Sequence, residues 1–267
     1  MTDGVLTNML IGPQISPAEA ALAARLAALR AAIAAAAARA GRTEESITLV
    51  AVSKGHAPER VRQVFSLGIR NVGESYLQEA LAKRAALAGL PLVWHFIGRL
   101  QANKTRPIAE QFDWVHGVDR LHIAERLSAQ RPAALPALNV CLQVNVAGEA
   151  SKGGVAPAAL APLAAAIERL PRLKLRGLMC ILPAALGSSA NRQLFAAARA
   201  CLDRLNDSRS EPAAGRRLDT LSMGMSEDFA EAIAEGATCI RVGTALFGAR
   251  PEPPAGTALP PTTAGLG

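Results

Sequence analysis

Residues 49–61 read LVAVSKGHAPERV, and they raise the question of why an apolar run should end on a lysine. The segment ITLVAVS, residues 47–53, is short and rich in β-branched residues. It is followed by Gly55 and by a helix that Pro58 can start, so it reads as a buried strand. Lys54 closes that strand where a turn residue is expected. In α/β folds the carboxyl ends of the strands are where ligands sit. Lys54 is therefore either a solvated strand-end residue or a functional one, and the rest of the chain has to decide.

The pattern beyond Lys54 alternates steadily. Strand-like runs are ITLVAVS, IRNVGE, LVWHFIG, DWVHGVD, LNVCLQVNV, LKLRGLMCI, RLDTLSMG and TCIRVGTALFG. Helical stretches lie between them, at 58–67, 76–88, 104–111, 121–130, 157–170, 190–206 and 226–235. Strands alternating with helices predict a parallel α/β sheet. A closed (β/α)8 barrel of the TIM type typically needs about 250 residues, which a chain of 267 matches with little left over. The expectation is a single such barrel with an extra N-terminal helix; a doubly wound open sheet is the alternative. The predicted organisation is an N-terminal extension at 1–16, the barrel at 17–250 and a tail at 251–267. The tail, PEPPAGTALPPTTAGLG, has no apolar period and is expected to be disordered, and 207–216 reads as a polar loop.

Composition narrows the function classes. Half of the residues are hydrophobic and 19% are charged, as in ordinary soluble globular proteins. The Ala-rich run from Pro17 to Ala40 is interrupted by Glu19, Arg25, Arg30 and Arg39, which predicts an amphipathic soluble helix and not a membrane span. With no signal-like N-terminus, a cytoplasmic location is the default. The net charge of +7 raises the question of nucleic acid, but aromatics are 3% of the chain and the arginines are scattered, so base-stacking platforms are absent. Cys141, Cys180, Cys201 and Cys239 form no C-x-x-C pair and are expected to be buried reduced thiols. The histidines show no metal-ligand spacing: His95 reads as a hydrogen-bonded core residue, His116 as a strand residue, His122 as lying near a helix start, and His56 as a neighbour of Lys54. Lys152, in the loop after the fifth strand, reads equally as an anion contact or a solvated side chain.

Chemistry on a parallel barrel gathers at the carboxyl ends of its strands. The seventh and eighth ends are the informative ones. LSMGMSEDF brings Ser222 and Gly224 just ahead of a helix expected to begin near Ser226, and IRVGTALFG brings Arg241, Gly243 and Thr244. Hydroxyls, backbone N–H groups and a nearby helix N-terminus suit a phosphate, and phosphate sites after strands seven and eight recur in this fold. The competing explanation is that these glycines only make turns and that Ser226 only caps a helix. A partly desolvated Lys54 would carry more neutral amine, which condenses with a carbonyl to a Schiff base. A phosphate site facing such a lysine suits a phosphorylated aldehyde, and pyridoxal 5′-phosphate (PLP) has both groups.

The strings AVSK, NVGESYLQEA, WHFIGRLQANK, QVNVAGEASKGG, LRGLMCI, LSMGMSEDFAEAIAEGAT and IRVGTALFGAR resemble, in order and separation from Ile47 to Arg250, the YggS-like pyridoxal phosphate homeostasis protein family. The resemblance implies one barrel similar to the N-terminal domain of alanine racemase, with PLP on Lys54. It further implies a phosphate contact at Ser222, a phosphate loop at Gly243 and Thr244, Arg241 facing the pyridine nitrogen, and Asn71 near the ring. The chain departs from the family pattern at Gly55-His56 and at Ser75.

Arg241 bears on mechanism. A guanidinium cannot accept a proton and disfavours a pyridinium, which weakens PLP as an electron sink. Racemases with that arrangement use a second base, commonly a tyrosine. The single tyrosine here is Tyr76, at the start of the second helix of the alternation, and no residues remain for a second domain. The sequence thus favours a monomeric PLP carrier or regulator, with apo PLP-dependent enzymes as acceptors, over a racemase. A Schiff-base aldolase, with Glu74 or Asp119 as acid/base, is the third reading.

Overall fold

A computed structural model describes residues 16–149, 153–184, 186–209 and 217–250. Helix α1 (Pro17–Arg39) is followed by eight strands: β1 (Thr48–Val52), β2 (Asn71–Glu74), β3 (Val93–Phe96), β4 (Trp114–Val118), β5 (Leu138–Gln143), β6 (Leu173–Met179), β7 (Thr220–Ser222) and β8 (Cys239–Val242). Each pairs in parallel with its sequence neighbours. β8 returns to β1 in the register Leu49↔Ile240 and Val50↔Arg241, which closes the barrel in the order β1 to β8. The expected TIM-type barrel with an N-terminal helix is therefore the fold. The connecting helices are α2 (Pro58–Ser66), α3 (Leu77–Ala86), α4 (Thr105–Gln111), α5 (Leu121–Gln130), α6 (Leu160–Glu168), α7 (Ser188–Asp207) and α8 (Phe229–Ala234), and the four-residue helix α9 (Thr244–Phe247) follows β8.

Every strand falls inside one of the runs read from the sequence, and the deviations are local. The last run is shorter than expected: the strand stops at Val242, and Thr244–Phe247 turns into helix, with the amides of Leu246 and Phe247 donating to the Gly243 carbonyl. Helix α8 starts three residues later than 226, because the Asp228 carboxylate takes the Met225 N–H at 2.6 Å and holds residues 225–228 as a turn. The polar loop assigned to 207–216 is helical as far as Asp207, and residues 210–216, the tail from Pro251, the extension before Ser16 and Lys152 lie outside the described residues.

Helix α1 begins with a capping box, Ser16 and Glu19 bonding reciprocally, and with Pro17 in its first turn. By length and composition it is apolar enough to cross a membrane. It is amphipathic in side-chain size more than in polarity, because its outer face is mostly alanine. Its large residues Leu22, Leu26, Leu29 and Ile33 follow helical spacing and are buried where α1 packs on α8 and α9. Burial of each contributes about 1.5–3 kcal/mol. Between sheet and helices lies an apolar shell that includes Val61, Ile108, Ile123, Leu127, Ile167, Phe195 and Ile233. Inside the barrel the filling is mixed: His95, His116, Ser222 and Arg241 are buried there beside Val50, Met179 and Cys239, which pair in register with Arg241 and Ser222. All four cysteines are free and buried.

Candidate functional site

Lys54 is placed by a tight turn. The His56 N–H donates to the Ser53 carbonyl at 3.0 Å, so Ser53 to His56 form a four-residue turn with Lys54 and Gly55 at its centre. Gly55 has a φ of 77°, the positive value that a type II turn needs at its third residue. The strand therefore does end in a turn residue, one position after the lysine. Lys54 projects into a cavity of about 650 Å³ at the carboxyl ends of the strands, which Arg241, Gly243 and Thr244 also line. Burial is the main force holding the Lys54 ammonium below the usual lysine range, and the Arg250 guanidinium adds to it; Glu74 and Glu79 pull the other way. His56 closes one side of the mouth, stacked 4.9 Å from Phe247.

Beneath the cavity a chain of hydrogen bonds crosses the barrel. Arg241 Nη1 donates to Ser222 Oγ at 2.7 Å, and Arg241 Nη2 to the Cys180 carbonyl at 3.0 Å. His116 Nδ1 lies 2.8 Å from Ser222 Oγ, His116 Nε2 lies 2.9 Å from His95 Nδ1, and His95 Nε2 lies 3.0 Å from Asn71 Oδ1. A guanidinium can only donate, and the Asn71 carbonyl oxygen can only accept. With both imidazoles neutral, the Asn71 end sets the direction and the Arg241 end is compatible with it: Ser222 donates to His116, His116 to His95, and His95 to Asn71. Each imidazole then carries its single proton on Nε2. Burial enforces the same state, holding His95 down at about 3 and His116 well below the ordinary histidine value. At the opposite end Trp114 stacks on His95, and Arg176 lies 4.7 Å over the Trp114 ring while pairing with Asp219 at 2.8 Å.

A barrel with this mouth matches known proteins over most of its length. The family model for the alanine racemase N-terminal domain matches residues 24–251. A pyridoxal phosphate homeostasis protein of Pseudomonas aeruginosa is 58% identical over 211 residues, which is 79% of this chain and 88% of the relative. That of Escherichia coli K12 is 47% identical over 215 residues, 79% of this chain and 89% of its own. This chain belongs to the pyridoxal phosphate homeostasis protein family. Among solved structures, PipY of Synechococcus elongatus with PLP bound is 41% identical, with a TM-score of 0.74, covering 85% of this chain and all of that one.

Within this family member the residues singled out from sequence separate into two layers. Lys54, Arg241, Gly243 and Thr244 share the cavity. A Cβ at Gly243 would come 3.2 Å from the Val52 carbonyl oxygen, so a side chain there would crowd the first strand. Ser222, in contrast, is fully buried one layer down, its hydroxyl taken by Arg241 and His116. Asn71 is at the start of β2, at the far end of the hydrogen-bond chain from Arg241. Gly224 also lies outside the cavity lining: its φ is 93°, its carbonyl accepts the Arg241 N–H, and a Cβ would sit 2.6 Å from that of Ala232. It shapes the loop that carries Met225 and Ser226 into the cavity. Ser226, weighed from sequence as a helix cap, accepts the Ala245 N–H at 3.3 Å and so ties the loop after β7 to α9. Arg250 on the rim went unnoticed in the sequence, where it is one arginine ahead of a Pro-rich tail.

Proposed function

We propose that this chain binds PLP at the barrel mouth and acts in intracellular PLP homeostasis as a carrier or regulator, with the cofactor held covalently on Lys54 Nζ. The observation that carries this reading is the presence, in one cavity, of a partly desolvated lysine facing hydroxyl and backbone donors on the loops after β7 and β8. Bound PLP supplies an aldehyde carbon that condenses reversibly with an amine, and a phosphate that anchors it. The donor set fits both groups. Thr244, Gly243 and Ser226 suit the phosphate, Thr244 as the first residue of α9 having a backbone N–H with no partner inside the helix. Ser222 serves in this reading one layer below, holding Arg241, and Asn71 terminates the chain that orients them. The PLP-bound relative at 41% identity supports the cofactor.

Two features, the place of Tyr76 and the naming of the relatives, favour a carrier over a racemase, and Arg241, an arrangement that racemases share, makes the missing second acid decisive. Arg241, committed on two nitrogens to Ser222 and Cys180, presents a permanent positive charge where a strong electron sink would need a proton on the ring nitrogen. Tyr76 is 58% exposed and does not line the cavity, so it offers no second acid opposite Lys54. The relatives are named for homeostasis and not for a catalysed reaction. The protein acts in this reading as a cytoplasmic monomer that loads apo PLP-dependent enzymes. Incubating the PLP-loaded protein with L-alanine, L-serine or L-lysine should yield no D-isomer by chiral chromatography, and mixing it with an apo PLP enzyme should restore that enzyme's activity. Racemisation at an ordinary enzymatic rate of about 1–1000 per second would overturn the reading.

A further inference from the structure

The peptide groups on either side of Lys54 are both held by one buried cluster of charges. On the N-terminal side, the Ser53 carbonyl accepts Lys83 Nζ at 2.5 Å. On the C-terminal side, the Gly55 N–H donates to Glu79 Oε1 at 2.6 Å. Lys83 joins the two, lying 2.7 Å from Glu79 Oε1 and 2.7 Å from Glu74 Oε1, and the Ser53 hydroxyl donates to the same Glu74 oxygen. Lys83 and Glu74 are buried, and Glu74 Oε2 is buried with no hydrogen-bond partner. Burying an ammonium with two carboxylates is a poor way to gain stability, because desolvation offsets most of the attraction. What the cluster does achieve is geometric: Lys83 and Glu79 of α3 hold the backbone of residues 53 and 55, and Glu74 of β2 holds Lys83 and the Ser53 hydroxyl.

We propose that Lys83, with Glu79 and Glu74, is the positioning apparatus of Lys54, a charge clamp that fixes the turn so that the amine meets its carbonyl partner at a set angle. The inference rests on the reading of Lys54 as the PLP anchor. In the step it serves, Lys54 Nζ forms a bond to the aldehyde carbon while the carbonyl oxygen leaves as water with two protons, formally those of the neutral amine. The amine's direction of approach matters to that step. It does not matter to a ligand that has the ring and phosphate but lacks the aldehyde. This separates a clamp from a merely structural cluster.

The test compares Glu79→Ala and Lys83→Met with wild type, using PLP and 4′-deoxypyridoxine phosphate, which has no aldehyde. In the variants the rate of covalent PLP capture should fall by about tenfold or more, while the deoxy analogue binds within about twofold of wild type. Folded variants that capture PLP at the wild-type rate, or that lose both ligands in parallel, would overturn the proposal. Should Lys83→Met fail to fold, Glu79→Ala decides alone, the Glu79 side chain being 27% exposed. Amide hydrogen exchange at Gly55 in the apo-protein provides a readout without PLP: about tenfold faster exchange in Glu79→Ala supports the clamp, and unchanged exchange refutes it. If wild type does not carry PLP on Lys54, the underlying reading fails, and Gly55 exchange still judges the clamp separately.

Discussion

Lys54→Ala is expected to abolish covalent retention of PLP and the visible absorbance that goes with it. The phosphate loop would still recognise the ligand, so weak reversible binding should survive, at an affinity lower by roughly two orders of magnitude, or about 2.7 kcal/mol. The expectation follows from where the groups sit. Thr244 and Gly243 lie on the β8 side of the cavity and Lys54 on the β1 side, so removing the amine leaves the phosphate donors intact. Equilibrium dialysis combined with absorption spectra measures both quantities. A Lys54→Ala protein that holds PLP as tightly as wild type, and with the same spectrum, would place the anchor elsewhere.

Acidification from pH 7.5 to pH 5 is expected to remove a large part of the folding stability. His95 and His116 are buried and neutral, each with one nitrogen donating and the other accepting, and burial depresses both values. A depressed folded value means that stability is present above the unfolded value of 6.5 and is lost as pH falls toward the folded one, about 3 for His95. At pH 5 His95 should cost about 2 kcal/mol relative to neutral pH, and His116 adds to the loss in the same direction. Glu74 acts in the opposite sense: burial raises its carboxyl, so its contribution is present below about 4.5 and lost as pH rises through the folded value. A net loss is expected, because two histidines act together against one carboxyl. Urea unfolding at both pH values reads it directly. Stability that is flat or that rises on acidification would contradict neutral histidines in the barrel.

The fold was legible because its strands announce themselves. ITLVAVS, DWVHGVD and LNVCLQVNV are short apolar runs between helical stretches, and eight of them in a chain of this length leave little choice of architecture. The cavity half of the site was legible for the same reason, since Lys54, Arg241, Gly243 and Thr244 stand at strand ends. The layer below was not. His95 and His116 are 21 residues apart on β3 and β4; alone, His95 reads as a core histidine and His116 as a strand residue. Their contact depends on strand register and on both rings pointing inward, which no local pattern encodes. Ser222 and Ser226 differ by one turn of chain, and their division of labour depends on Gly224, whose positive φ redirects the loop between them. Lys83 lies four residues after Glu79 on a helix, a spacing that ordinarily marks a solvated surface pair. Here that face of α3 turns toward Glu74 and the Lys54 turn, a fact of packing that the spacing leaves open.

The central claim is that Lys54 carries PLP, and borohydride reduction of the PLP-loaded protein followed by peptide mapping tests it most directly. Reduction makes the carbon–nitrogen link permanent and marks whichever amine held the cofactor. The result predicted is a single pyridoxyl group on the peptide that contains Lys54. A label confined to Lys83, Lys104, Lys152 or Lys174, with the Lys54 peptide unmodified, would contradict it.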